Sequence, residues 1–77
     1  MIIPLGSNQN EKILSNGNKI LFSYSKPVAA FVVGEGYLRT YDPCSYTTNS
    51  HINKWIENNA CALVPQKRID EILHAGS

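Results

Sequence analysis

Only a few side chains in this chain have the types and spacing for covalent or metal chemistry. Cys44, Ser45 and Ser50 lie close in sequence to His51, and a hydroxyl or thiol beside an imidazole is the starting point of nucleophilic catalysis. Ser50 and His51 are sequence neighbours near an expected helix start, so their side chains diverge, and capping accounts for the hydroxyls. No catalytic residues are assigned. Two cysteines and two histidines without C-x-x-C or H-x-x-x-H spacing give no metal motif, and Cys44 and Cys61 read most simply as one connector and one buried thiol, both reduced. Neither a metal nor any other cofactor is expected. Gly34-Glu35-Gly36 lacks the further glycine and lysine of a phosphate loop and reads as a hairpin loop.

Nucleic acid is a second class to weigh. Tyr37, Arg39 and Tyr41 share one face of a strand, an aromatic, basic, aromatic alternation suited to base stacking. The net charge of +1 supplies no general attraction to phosphate, and the same pattern suits a sheet face covered by a helix. A third class, protein binding, is served by exposed strand edges and by tyrosines at 24, 37, 41 and 46.

Positioning these residues requires a small fold. A chain of 77 residues allows one domain, and 43% hydrophobic against 17% charged residues indicates a folded chain. At this size only about 60% of the unfolded surface is buried, so stability is small and is expected to lean on a partner or a homodimer. No apolar run approaches the roughly 20 residues of a membrane span, so a cytoplasmic location is expected.

The composition predicts a flexible or edge segment over 1–10 and a single α+β domain over 11–77. Asn16-Gly17 predicts a β-hairpin with a type I′ turn. Ile20, Phe22 and Tyr24 alternate with Leu21, Ser23 and Ser25, which predicts a strand with the first set inward. Pro27 interrupts the pattern, Val28 to Val33 is apolar on both faces, and Tyr37 to Tyr41 returns as a strand. About four antiparallel strands in meander order follow, from Lys12 to Tyr41.

A helix is expected over about 50–58, capped by Thr47, Thr48 or Asn49, with Ile52, Trp55 and Ile56 as its packing stripe. Ala60 to Val64 is a fifth strand or a buried connector. Pro65 opens a last helix near Gln66 to His74, with Gly76 as its cap, and both helices are expected on one face of the sheet. The expected core is Ile13, Ile20, Phe22, Phe31, Val33, Leu38, Ile52, Trp55, Ile56, Ile69, Ile72 and Leu73.

The stretch from Leu14 to Ile56, with Leu14-x-Asn16-Gly17, then Phe22-Ser23-Tyr24-Ser25-Lys26-Pro27-Val28-Ala29, then Arg39-Thr40, then Ser45-Tyr46-Thr47-Thr48-Asn49-Ser50-His51-Ile52-Asn53-Lys54-Trp55, resembles a set of small uncharacterised proteins of bacteriophages and mobile elements. In them Ser-Tyr-x-x-Pro-Val-Ala precedes Ser-x-Thr-Thr-x-x-His-Ile. The resemblance covers a little over half the chain and carries no established activity. It implies a non-enzymatic binding protein in the cytoplasm of a host cell, modulating or inhibiting a host protein or defence complex. Ser45, Tyr46, Thr47, Thr48 and His51 would be its partner-binding residues. The alternative role of the same side chains is to fix the crossing from sheet to helix, with hydroxyls capping the helix and His51 bonded nearby.

Overall fold

Chain reversals between consecutive strands generate the antiparallel part of the fold. The computed structural model describes residues 2–6, 8–57 and 59–76. In chain order the elements are β1 (Ile2–Gly6), β2 (Gln9–Ile13), β3 (Lys19–Ser23), β4 (Lys26–Val32), β5 (Gly36–Thr40), α1 (Tyr46–Ile56), β6 (Cys61–Val64) and α2 (Gln66–Gly76). Between β2 and β3 the Leu14 N–H donates to the Asn18 carbonyl and the Gly17 N–H to the Leu14 carbonyl. Only Gly17 takes a positive φ there, so the loop is a three-residue hairpin with a glycine bulge, in place of the expected two-residue type I′ turn.

The two-residue turn lies instead between β3 and β4. Ser23 pairs with Lys26, and Tyr24 and Ser25 have φ of 53° and 67°. Tyr24 therefore leaves the strand and is exposed, where the alternation pattern had placed it inward. Pro27 is tolerated because it sits at a bulge. Leu21 pairs with Ala29 and Phe22 with Pro27, which leaves Val28 as the additional residue.

The described strands form one sheet in the order β1-β2-β3-β4-β5-β6. The first five are antiparallel and β6 runs parallel to β5, with α1 spanning the crossover. The expected meander is thus flanked by two further strands. Residues 1–10, expected as a flexible or edge segment, contribute the edge strand β1 and the start of β2; Met1 and Ser7 lie outside the described residues.

The helices lie on opposite faces, which corrects the expectation of one shared face. Ile20, Ala30, Val32 and Leu38 meet Ile69 and Ile72 of α2, while Leu21, Val28 and Ala29 meet Ile52 and Ile56 of α1. Ile20 and Leu21 are consecutive strand residues, pointing to opposite faces, and both are fully buried. A strand that is apolar in both directions requires cover on both sides. Val33, expected in the core, is 61% exposed because β4 ends at Val32 and Val33 opens the next turn. Ile13, Phe22, Phe31, Trp55 and Leu73 are half-buried at the margins.

Candidate functional site

Helix α1 begins four residues earlier than the sequence pattern suggested, because Ser45 is the cap. Its Oγ accepts the Thr48 N–H at 3.1 Å, and the helix ends at Glu57 in the left-handed conformation. Asn58, part of the expected stop, lies outside the described residues. Thr47 is exposed, so it is Thr48 that turns its hydroxyl inward.

The Thr48 side chain joins a chain of three hydroxyls that ends at an imidazole. Ser45 Oγ donates to Thr48 Oγ1 at 3.2 Å, Thr48 Oγ1 and Ser23 Oγ are 3.1 Å apart, and Ser23 Oγ is 2.9 Å from His51 Nδ1. Each hydroxyl has one proton, so donation in a single direction from Ser45 ends with His51 Nδ1 as acceptor. That assignment places the imidazole proton on Nε2, by inference from the network. Ser23 ends β3, and Thr48 and His51 lie three apart on α1, so the chain rivets the first turns of the helix to the sheet beside the β3–β4 turn. The two separated halves of the sequence motif meet here.

Ser23 and His51 have the separation of a nucleophile and its base, but the rest of the arrangement differs from a catalytic one. Ser23 is 2% exposed and its oxygen is also engaged by Thr48. The sequence-based pairings of His51 with Cys44 or Ser50 are not formed. Cys44 Sγ donates to the Asp42 carbonyl at 3.4 Å, and Ser50 is exposed. Both cysteines are free thiols, and Cys61, expected to be buried, is exposed on the last strand of the sheet. Among the described residues there is no cluster of three metal-ligating side chains.

Tyr37 and Arg39 share the sheet face that α1 covers, while Tyr41 lies beyond the end of β5. Tyr37 stacks edge-on with Trp55 at 5.5 Å and with Phe31 at 5.0 Å. Arg39 donates to the side-chain oxygens of Asn49 at 2.8 Å and Asn53 at 3.3 Å, one helical turn apart on α1. Two members of the stacking triad are therefore engaged in seating the helix, and Tyr41 alone is exposed, at 59%. The i, i+4 asparagine pair opposite a strand arginine was a readable signal that sequence reasoning missed. So was Ser23, whose place opposite Thr48 depends on the sheet-to-helix crossing.

A shallow cleft of about 270 Å³ adjoins the hydroxyl chain. Tyr24 and Lys26 form one side, Pro43, Cys44 and Ser45 the other, and the buried Ser23, Val28 and Thr48 the floor. A larger concavity of about 430 Å³ lies between β2 and the far half of α1. Its rim mixes Glu11, Lys19, Lys54 and Glu57, and its aromatic floor is committed to packing, with Trp55 Nε1 donating to Glu11 at 2.8 Å. Of the smaller cleft's exposed lining residues, Tyr24 is aromatic, beside Lys26, Pro43 and Ser45, and two further exposed tyrosines lie close by in sequence or along the sheet. Tyr46 is 89% exposed and Tyr24 54%. Tyr41, which follows β5, lies at the same end of the sheet, since β5 runs antiparallel to β4 and ends beside the β3–β4 turn. No helix among the described residues is long and apolar enough to cross a membrane.

A family model described as "Family of unknown function (DUF8033)" matches residues 2–71, and the chain belongs to that family. No curated protein and no solved structure matches the chain.

Proposed function

We propose that this family member is a non-enzymatic binding module, and that it engages a host protein or protein complex through the tyrosine-rimmed end of its sheet. The observation that carries this reading is the exposure of Tyr24, which borders the shallow cleft, together with that of Tyr46, which follows the cleft residue Ser45, and of Tyr41 at the same end of the sheet. Tyrosine supplies a large amphipathic contact area at low entropy cost, and it is enriched at the energetic centres of interfaces. Tyr24 is held at a positive φ, which costs a bulky residue of order 1 kcal/mol or more. Turn chemistry favours Asn-Gly at these two positions, so the presence of Tyr-Ser there is better explained by contact with a partner than by folding.

This reading redistributes the roles within the motif. Tyr46 is the contact residue, joined by Tyr24 and Tyr41, with Ser45 and Thr47 at the rim. Thr48 and His51 position the helix that presents them. The resemblance to phage-encoded proteins makes a host complex, such as a defence assembly, the expected partner and the host cytoplasm the expected location.

The test is affinity capture from the native host's lysate, with and without nuclease, comparing wild type with Tyr24→Ala/Tyr46→Ala. Both side chains are exposed, so the variant retains its fold. The expected result is a nuclease-resistant protein captured by wild type alone and rebound in purified form. Partners that disappear with nuclease would instead favour the nucleic-acid reading through Tyr37, Arg39 and Tyr41. Equal capture by both proteins would remove the tyrosine surface from consideration.

A further inference from the structure

The two edges of the sheet are built differently. At one edge β1 contains Pro4, and its register with β2 shifts between Pro4 and Gly6, both devices that discourage a further strand from adding. At the other edge β6 reads Cys61-Ala62-Leu63-Val64, with no charge, no proline and no bulge. Helix α2 packs chiefly on β4 and β5, and α1 on β3. Cys61, Ala62 and Leu63 are consequently exposed on both faces, Leu63 at 66%.

The backbone of β6 is polarised toward that open side. The Tyr41 N–H donates to the Val64 carbonyl at 2.9 Å, so Val64 directs its backbone groups to β5. Ala62, two residues away, does the same, while Cys61 and Leu63 direct N–H and C=O outward. No backbone partner for those outward groups is present among the described residues, and β6 is last in the sheet order.

We propose that β6 pairs antiparallel with β6 of a second copy of this chain, about a two-fold axis at Ala62. In that register Cys61 of each copy exchanges two hydrogen bonds with Leu63 of the other, which satisfies all four outward groups on each strand. Ala62 meets its counterpart at the close non-hydrogen-bonded position, which its small side chain fits without steric conflict. The axis stands perpendicular to the sheet and preserves its faces, so Leu63 and Cys61 of the two copies form one apolar row on the α1 side. An uncharged strand meets itself without like-charge repulsion, and nothing in it selects an oppositely charged stranger. Two four-residue strands bury less than the roughly 1,200 Å² of a standard stable interface, so the dimer is a weak one, forming at micromolar concentration or above. This surface is separate from Tyr24 and Tyr46, and its test is independent of the partner-capture experiment.

Sedimentation of the reduced full chain, over roughly two decades of concentration around 100 µM, should show a reversible monomer–dimer equilibrium. Leu63→Lys, at an exposed position, should be monomeric throughout with an unchanged circular dichroism spectrum. Oxidation gives the register. Two Ala62 Cα atoms are about 4.5 Å apart in the proposed pairing, within disulfide range, whereas two Cys61 Cα atoms are about 8 to 9 Å apart and outside it. Cys61→Ser/Ala62→Cys should therefore form a covalent dimer, and wild type should not cross-link through Cys61. A wild type that stays monomeric, a Leu63→Lys variant that still dimerises, open-ended assemblies from pairing of β6 with β1, or cross-linking through Cys61 in place of position 62 would each overturn the proposal.

Discussion

Thr48→Val tests whether the hydroxyl chain acts as a unit. The substitution keeps the β-branched shape and removes the one oxygen that bonds both Ser45 and Ser23. The helix cap survives, because it is the backbone N–H of Thr48 that donates to Ser45 Oγ. Ser45 is exposed and turns to water, so the loss of its bond costs little. Ser23 is 2% exposed and keeps only His51, so the loss at that end is one buried hydrogen bond, about 1 kcal/mol. Ser23→Ala removes the same bond together with the one to His51, which is half-buried and regains water, for about 1 to 2 kcal/mol. Because the Ser23–Thr48 bond is counted in both single variants, the double variant should cost about 1 kcal/mol less than their sum. Urea unfolding followed by the fluorescence of Trp55, the single tryptophan, measures all four proteins. For a domain of this size, Thr48→Val should lower Tm by about 4 to 8 °C. Additivity of the two single changes within about 0.3 to 0.5 kcal/mol would refute the idea that these hydroxyls form one chain.

Two further changes probe how the helices are seated. A Cβ at Gly76 would lie 2.6 Å from Leu14 Cδ1 and 2.9 Å from Leu14 Cβ, so Gly76→Ala should destabilise by about 1 to 3 kcal/mol in urea unfolding, despite alanine's better helix propensity. Glu11→Gln weakens the charge-assisted bond from Trp55 Nε1; a loss of about 1 kcal/mol and a shift in tryptophan emission are expected, and unchanged stability and emission would show that the bond does not help hold α1.

The parts of the fold legible in the sequence were those with a local cause. The strand after Asn16-Gly17, the amphipathic stripes Ile52, Trp55, Ile56 and Ile69, Ile72, Leu73, and proline at the entry to α2 all follow from neighbouring residues. Opposite-face packing was visible in Ile20-Leu21 and in Val28-Ala29-Ala30, but it required reading the strand as two-sided, not as alternating. Strand β1 was obscured by its Pro and Gly content, since such an edge is held by its ladder to β2 and not by side-chain burial. The Tyr24-Ser25 turn was the hardest element to foresee, because it places two non-glycine residues at positive φ against their intrinsic preference.

That conflict also bears on where function lies. The motif residues Ser23, Thr48 and His51 have a complete structural explanation, since each is bonded into the chain that fixes α1 to the sheet. Their identities would be required by the fold whether or not the protein bound anything. Tyr24 has only a tilted ring contact with His51, 6.1 Å between centroids, and Tyr46 has no such explanation. One occupies a strained backbone position at the tip of a turn, the other is almost fully exposed on the first turn of a helix, and neither contributes to the hydrophobic clusters on either face of the sheet. A local choice that opposes the fold with so little contact inside it is what the proposed partner surface would account for. The search for a partner should therefore begin from the tyrosines that the motif presents, with its buried hydroxyls as the control for folding.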